Sequence, residues 1–154
     1  MSTLAHKVQF FSAKCQACGH GFSMPLLSDF SYGEFIFHGE RQCVFGFLSA
    51  QDEPAWEDIE VRLRRSALLG DRPTRPQIER LHRVIAVAAD SIAGQRLVSF
   101  PVCPSCGARS VAYGDSDPQG IHEIPQVSFQ QYQSLSDSER SRRVEQLWRE
   151  SKCP

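Results

Sequence analysis

At 154 residues with 41% apolar side chains, the chain is long enough for one domain with a real core. No apolar run approaches the roughly 20 residues that span a bilayer. Seventeen basic against eighteen acidic residues give a formal charge of −1, without the basic excess that marks a duplex-binding domain. The opening MSTLAHKVQFFSAK has no sustained apolar block and does not read as a secretory signal. The expected compartment is therefore the cytoplasm, where thiols stay reduced and the spacing of six cysteines points to metal rather than disulfides. The arginine bias and compact size suggest a bacterial-type protein.

Residues 7–13, KVQFFSA, form an apolar and aromatic run expected to be a strand. Residues 33–38 and 43–49 give two more. Period two puts Phe35 and Phe37 on one face, and Cys43, Phe45 and Phe47 on another. The short link at 39–41 begins with glycine and predicts a hairpin. From Pro54 to Leu69 the period changes: Trp56, Ile59, Leu63 and Ala67 step by three and four, which is helical. Pro54 suits a first turn and Gly70 a C-terminal cap. Thr74 and Gln77 form a capping box for a second helix. Its stripe is Ile78, Leu81, Ile85, Ala88 and Ile92, closing before Gly94. Residues 95–102 and 109–113 return to strand, and GDSDPQG reads as a loop. A last helix starts at the Ser136–Glu139 capping box, with Val144, Leu147 and Trp148 as its apolar stripe.

FSAKCQACG and SFPVCPSCG share one pattern, a strand-like run followed by C-x-x-C-G. Two cysteines three apart in a tight turn aim both sulfurs at one ion, and backbone N–H groups in the turn help carry their charge. Gly19 and Gly107 let the chain leave with positive φ, where a side chain would clash. Pro104 fixes φ just after its first cysteine. Two such turns put four thiolates in a tetrahedron, a closed structural zinc site. Iron suits the same all-sulfur cage, but a redox role would need partners that nothing in the chain suggests. A thioredoxin-like pair would have to open a helix, and Gly19-His20-Gly21 argues against one. Zinc would bring a net −2 with its four thiolates and take the formal charge to about −3.

At these residues the chain resembles the zinc-ribbon class, with its paired rubredoxin-type knuckles. The resemblance implies a four-cysteine zinc site at Cys15, Cys18, Cys103 and Cys106. It covers only the knuckles and their flanking strands. Cys18 and Cys103 lie 85 positions apart, so the ribbon would be the seam of a larger domain.

Other constellations have plainer readings. His20 could replace a cysteine, but four already complete the shell. Cys43, in a strand pattern, reads as a buried small apolar residue before it reads as a nucleophile, and Cys153 as an incidental thiol. DSDPQGIHEIPQ mimics a calcium loop at Asp115, Asp117 and Gly120, then fails at Gln126, where a bidentate glutamate is needed; it reads as a polar turn. His122-Glu123 resembles an acid–base pair but fits a solvated loop. Arg62, Arg64 and Arg65 complement a helix C-terminus, opposite Glu57, Asp58 and Glu60 at its start. Arg140, Arg142 and Arg143 sit in the first turns of a helix, where cations are not favoured, and suggest an anion or partner contact.

The expected architecture is a single α+β domain over 1–154. It has antiparallel strands, two central helices, a zinc ribbon joining both ends and a C-terminal helix. The expected function is a non-enzymatic protein-binding module, in one version an inhibitor or immunity protein that neutralises a partner toxin or enzyme. Its candidate partner contacts are Phe30, Tyr32, Trp56, Glu57, Asp58 and Glu60, which pair aromatic area with charge. Core packing is the plainer reading of the three aromatics. The rivals are a nucleic-acid-binding ribbon of the transcription type, needing convergent arginines, and a small enzyme with His20, His122 or Cys43 in a pocket.

Overall fold

A computed structural model describes residues 5–27, 32–41 and 43–151, with the side chains of 114–117 left aside. It is an α+β protein with two antiparallel sheets, helices and a C-terminal helix. The chain divides into two compact units, Met1–Ser49 with Ser91–Val127, and Ala50–Asp90 with Ser128–Pro154. Among the described residues no helix is long and apolar enough to cross a membrane.

In the first unit, β1 (Ala5–Cys15) lies between β2 (Gly21–Pro25) and β6 (Val111–Pro125), antiparallel to both. A second sheet places β3 (Glu34–Gly39) between β4 (Phe45–Ser49) and β5 (Leu97–Val98). The β3–β4 hairpin is the expected one, with His38 opposite Phe45, but its link is longer because pairing resumes only at Phe45. Alternation holds inside the pairs: Val8 and Phe10 of β1 pack with Phe47 of β4 and Ile124 of β6 in one apolar cluster. A parallel bridge from Phe47 to Gln126 joins the sheets, and the Val127 N–H donates to the Phe47 carbonyl at 2.8 Å. Gly46 permits that approach. A Cβ there would stand 2.6 Å from Val127 Cγ2 and 2.8 Å from Ile92 Cδ1.

Three expectations fail in this unit. The stretch read as a polar turn, including Asp115, Asp117 and Gly120, runs as backbone inside the 15-residue β6. β1 pairs with Val111–Tyr113 before it, with Pro118 inside it and with Ile121–Pro125 after it. Register shifts between Gln9 and Phe11 and between Phe11 and Ala13 absorb the sequence that does not alternate. Ile92 is also not helical. It exchanges two backbone hydrogen bonds with Gln95, 3.1 and 2.9 Å, across Ala93 at φ 51° and Gly94 at φ 74°. Two successive positive φ values make this the turn that fits a tight hairpin. Of the strand expected over 95–102, only Leu97 and Val98 join a sheet.

The second unit holds α1 (Pro54–Arg65), α2 (Arg75–Ala88), α3 (Gln130–Gln133) and α4 (Asp137–Glu150). Both expected capping boxes form: Thr74 accepts from the Gln77 N–H, and Ser136 from the Glu139 N–H, each reciprocated by the side chain three residues on. Ile59 and Leu63 of α1, Val84 and Ile85 of α2, and Val144 and Leu147 of α4 are buried, as their three-four spacing requires.

Helix α1 stops short of the expected Leu69. Ser66 is the cap, and Ala67 at φ 59° turns the chain. The Leu68 N–H returns to the Leu63 carbonyl and the Ala67 N–H to the Arg64 carbonyl, both at 3.0 Å, the pairing of a Schellman motif. The turn buries Leu69. Gly70, the expected cap, lies beyond it and is not among the positive-φ glycines.

Candidate metal centre

The first knuckle joins β1 to β2, and the second leads into β6. Cys15 ends β1 directly opposite Val111, which starts the β6 pairing. The Gln16 N–H also donates to the Ser110 carbonyl at 2.7 Å. The three-stranded sheet thus carries one knuckle to the other.

The turns have the same hydrogen bonds. In the first, the Cys15 N–H donates to the His20 carbonyl at 2.9 Å and the Gly19 N–H to the Cys15 carbonyl at 2.8 Å. In the second, the Cys103 N–H donates to the Ala108 carbonyl and the Gly107 N–H to the Cys103 carbonyl, both at 2.9 Å. Gly19 at φ 80° and Gly107 at φ 77° are the exit residues. Neither has an atom within 4 Å of where a Cβ would lie, so the backbone angle and not crowding demands glycine.

All four sulfurs lie within 4.8 Å of one another. Cys15 and Cys106 approach to 3.6 Å, and so do Cys18 and Cys103. A tetrahedron with metal–sulfur bonds of about 2.3 Å has edges of about 3.8 Å, so the spacing fits one ion. It is far too long for a disulfide, whose sulfurs sit about 2.05 Å apart. Both 3.6 Å pairs join one knuckle to the other, so the four form one group. Cys15 and Cys103 are buried, whereas Cys18 and Cys106 are exposed.

The cluster shapes its own ionisation. Burial pushes the Cys103 thiol up, but backbone N–H groups of Cys106 and Ser105 point at its sulfur and outweigh that, drawing it down to about 6. The Ser105 N–H donates to Sγ at 3.4 Å. Cys106 moves the other way, to about 12; the Ala108 N–H favours its thiolate, but burial and the other three sulfurs oppose a second charge beside the first. A divalent cation relieves that opposition, since thiolates are the ligand form.

The remaining candidates scatter. His20 is exposed, stacked 6.0 Å from Phe22 and outside the sulfur group. Cys43 is exposed and not buried as its strand pattern implied, because β4 begins two residues later and leaves it in the link. His122 and Glu123 are exposed on β6, with His122 Nε2 3.3 Å from the Gln119 carbonyl. Phe30 and Cys153 lie outside the described residues, as do the side chains of Asp115 and Asp117.

Of the partner candidates, Tyr32 is 82% exposed and Glu57 is exposed. Trp56 is 7% exposed and belongs to the core of the helical unit. Its Nε1 donates to Glu60 at 2.8 Å, and its ring lies 5.4 Å from His82. Asp58 also turns inward. It accepts from Arg62 Nε at 3.0 Å and from the Tyr132 hydroxyl at 2.6 Å. Burial pushes its carboxyl up, but those two bonds outweigh it and hold the group below its ordinary range.

Arg62, expected only to complement the C-terminus of its helix, is buried and tied to α4. It donates to the Asp137 carboxylate and Ser141 hydroxyl, both at 2.8 Å, and to the Asp137 carbonyl at 2.9 Å. Only its position between Ile59 and Leu63 on the buried side of α1 could have signalled this. Arg140 donates to the Gln133 carbonyl and lies over the Tyr132 ring, 5.7 Å from its centroid. Arg142 is exposed and Arg143 partly so.

No family model, no curated protein and no solved structure matches the chain.

Proposed function

We propose that Cys15, Cys18, Cys103 and Cys106 hold one zinc ion in a closed structural centre of the zinc-ribbon class, and that the protein is a cytoplasmic protein-binding module rather than an enzyme. The observation that carries the metal assignment is the pair of 3.6 Å sulfur contacts between two knuckles of matching geometry. Four protein sulfurs fill a tetrahedral shell and leave no position for a substrate. The ion then fixes segments that lie far apart in the chain. The sulfurs bind it, the two glycine exits shape the turns, and β1 and β6 hold the turns face to face.

The binding half of the reading is supported by exposed apolar side chains, Tyr32 and Ile121 among them. In its narrower form, the module neutralises a partner toxin or enzyme. One experiment tests both halves. The native protein is purified by affinity capture without added metal, its metals are measured, and its co-purifying proteins are identified. One zinc per chain with a stoichiometric protein partner supports the reading. Iron in place of zinc overturns the metal assignment. Submicromolar binding to nucleic acid with a steep salt slope would move the function to the transcription-type ribbon.

A further inference from the structure

The four sulfurs of the cluster are not equivalent. Cys15 and Cys103, the first cysteine of each knuckle, are buried, whereas Cys18 and Cys106, the second of each, are exposed. Each exposed cysteine has a buried one 3.6 Å away, sulfur to sulfur, on the other knuckle: Cys106 meets Cys15, and Cys18 meets Cys103. The two contacts share no cysteine, so both can close together.

We propose that Cys18 and Cys106 are sites of oxidation by hydroperoxide, resolved by Cys103 and Cys15, and that the knuckles pass from a metal clasp to a disulfide clasp. The inference rests on the four-cysteine metal reading above. The exposed thiolate attacks the peroxide, whose O–O bond breaks. One oxygen stays on sulfur as a sulfenic acid, and the other leaves as water after taking a proton. The buried thiolate across the gap attacks that sulfur, and the S–O bond breaks to release a second water with a second proton. Two thiolates thus give two electrons to one peroxide, and a second peroxide closes the other pair. A disulfide is not the ligand form, so each closure removes two of the four ligands. The bonds that replace them span 91 and 85 positions. Such long closed loops constrain the unfolded chain, so the sheet stays joined as the metal leaves.

The metal content of the purified full chain is measured first. Hydrogen peroxide is then added in steps beside a chromogenic chelator, and the remaining thiols are alkylated. Trypsin cuts after Lys14, Arg41, Arg96 and Arg109, which leaves Cys15 with Cys18 on 15–41 and Cys103 with Cys106 on 97–109. Metal should be lost in step with the first two thiols. The two peptides should become disulfide-linked, with fragmentation placing the bonds at Cys15–Cys106 and Cys18–Cys103. Dimedone present during oxidation should label Cys18 and Cys106 and spare Cys15 and Cys103. The oxidised, metal-free chain should keep the amide-exchange protection of β1, β2 and β6 that chelation of the reduced chain removes.

Disulfides confined within each knuckle, or dimedone on the buried pair, would overturn the proposal. So would a bond to Cys43, which is also exposed, or metal retained once Cys43 is fully oxidised. Loss of protection in the oxidised chain would overturn it as well. A chain purified without metal retires the zinc reading, and the peptide link alone then decides the pairing. Zinc released with disulfides inside the knuckles retires the pairing and leaves the zinc reading.

Discussion

Cys15 and Cys106, 91 positions apart, bring their sulfurs to 3.6 Å, as close as any two cysteines of the cluster come across the knuckles. Removing the ion from between them should undo the ribbon sheet. Structural zinc contributes on the order of 10 kcal/mol to folding, comparable with the whole stability of a domain. Chelation, or Cys15→Ser or Cys103→Ser, should therefore abolish amide-exchange protection in β1, β2 and β6. Hydrogen exchange read by mass spectrometry checks this. A Cys103→Ser variant as protected as the parent would remove the metal from its structural role.

Arg62 and Asp137 give an asymmetric pair. The arginine side chain is 8% exposed and the aspartate side chain 89%. Arg62→Ala should cost about 3 kcal/mol, because it strips a buried charge, its stem packing and a partner of Asp58 together. Asp137→Asn should cost under about 1 kcal/mol, since its carboxylate faces water. Urea titrations of the two variants give the ratio.

His38 is buried in β3, and burial lowers its pKa to about 4 from 6.5. The unfolded chain takes up this proton near pH 6.5 while the folded one still refuses it. Stability from this residue is thus complete above pH 6.5 and declines as pH falls towards 4. The total loss is about 3 kcal/mol. His38→Met should lack that component. Denaturant midpoints of both proteins between pH 7 and pH 4 isolate it, because metal release affects the two alike.

Ala67 holds φ 59° at the end of α1. The left-handed region costs an L-residue about 1–2 kcal/mol, partly offset by the greater freedom glycine has when unfolded. Ala67→Gly should stabilise the protein by about 0.5–1 kcal/mol, and Ala67→Val should destabilise it. A thermal shift in either opposite direction would contradict the Schellman assignment.

What was legible in the sequence follows the range of the interactions. Thr74 with Gln77, Ser136 with Glu139 and each C-x-x-C-G are complete within a few residues, and all formed as read. The four-cysteine cluster was legible although it is non-local, because each half already carries the spacing its chemistry needs. The misread features were decided by distant partners. Residues 114–120 lie in a strand because β1 pairs with the segments on both sides of them and with Pro118 between. α1 ends at Arg65 because Leu69 has a core to enter, a reason stronger than the glycine that follows. Trp56 and Asp58 face inward because of His82 and Tyr132, which no local pattern announces.

The position of the second knuckle also sets a clock. Half of the four-sulfur cluster is made with β1, and the other half arrives only after α1, α2 and β5 have been synthesised. At about 5–20 residues per second, Cys106 follows Cys15 by roughly 5–20 s. For that interval the ribosome displays a two-thiol half-site that binds metal weakly and is open to oxidation. The helices of the insertion have time to form before the ion can be captured. Release of the nascent chain at any point before Cys103 would leave a product without a complete metal site.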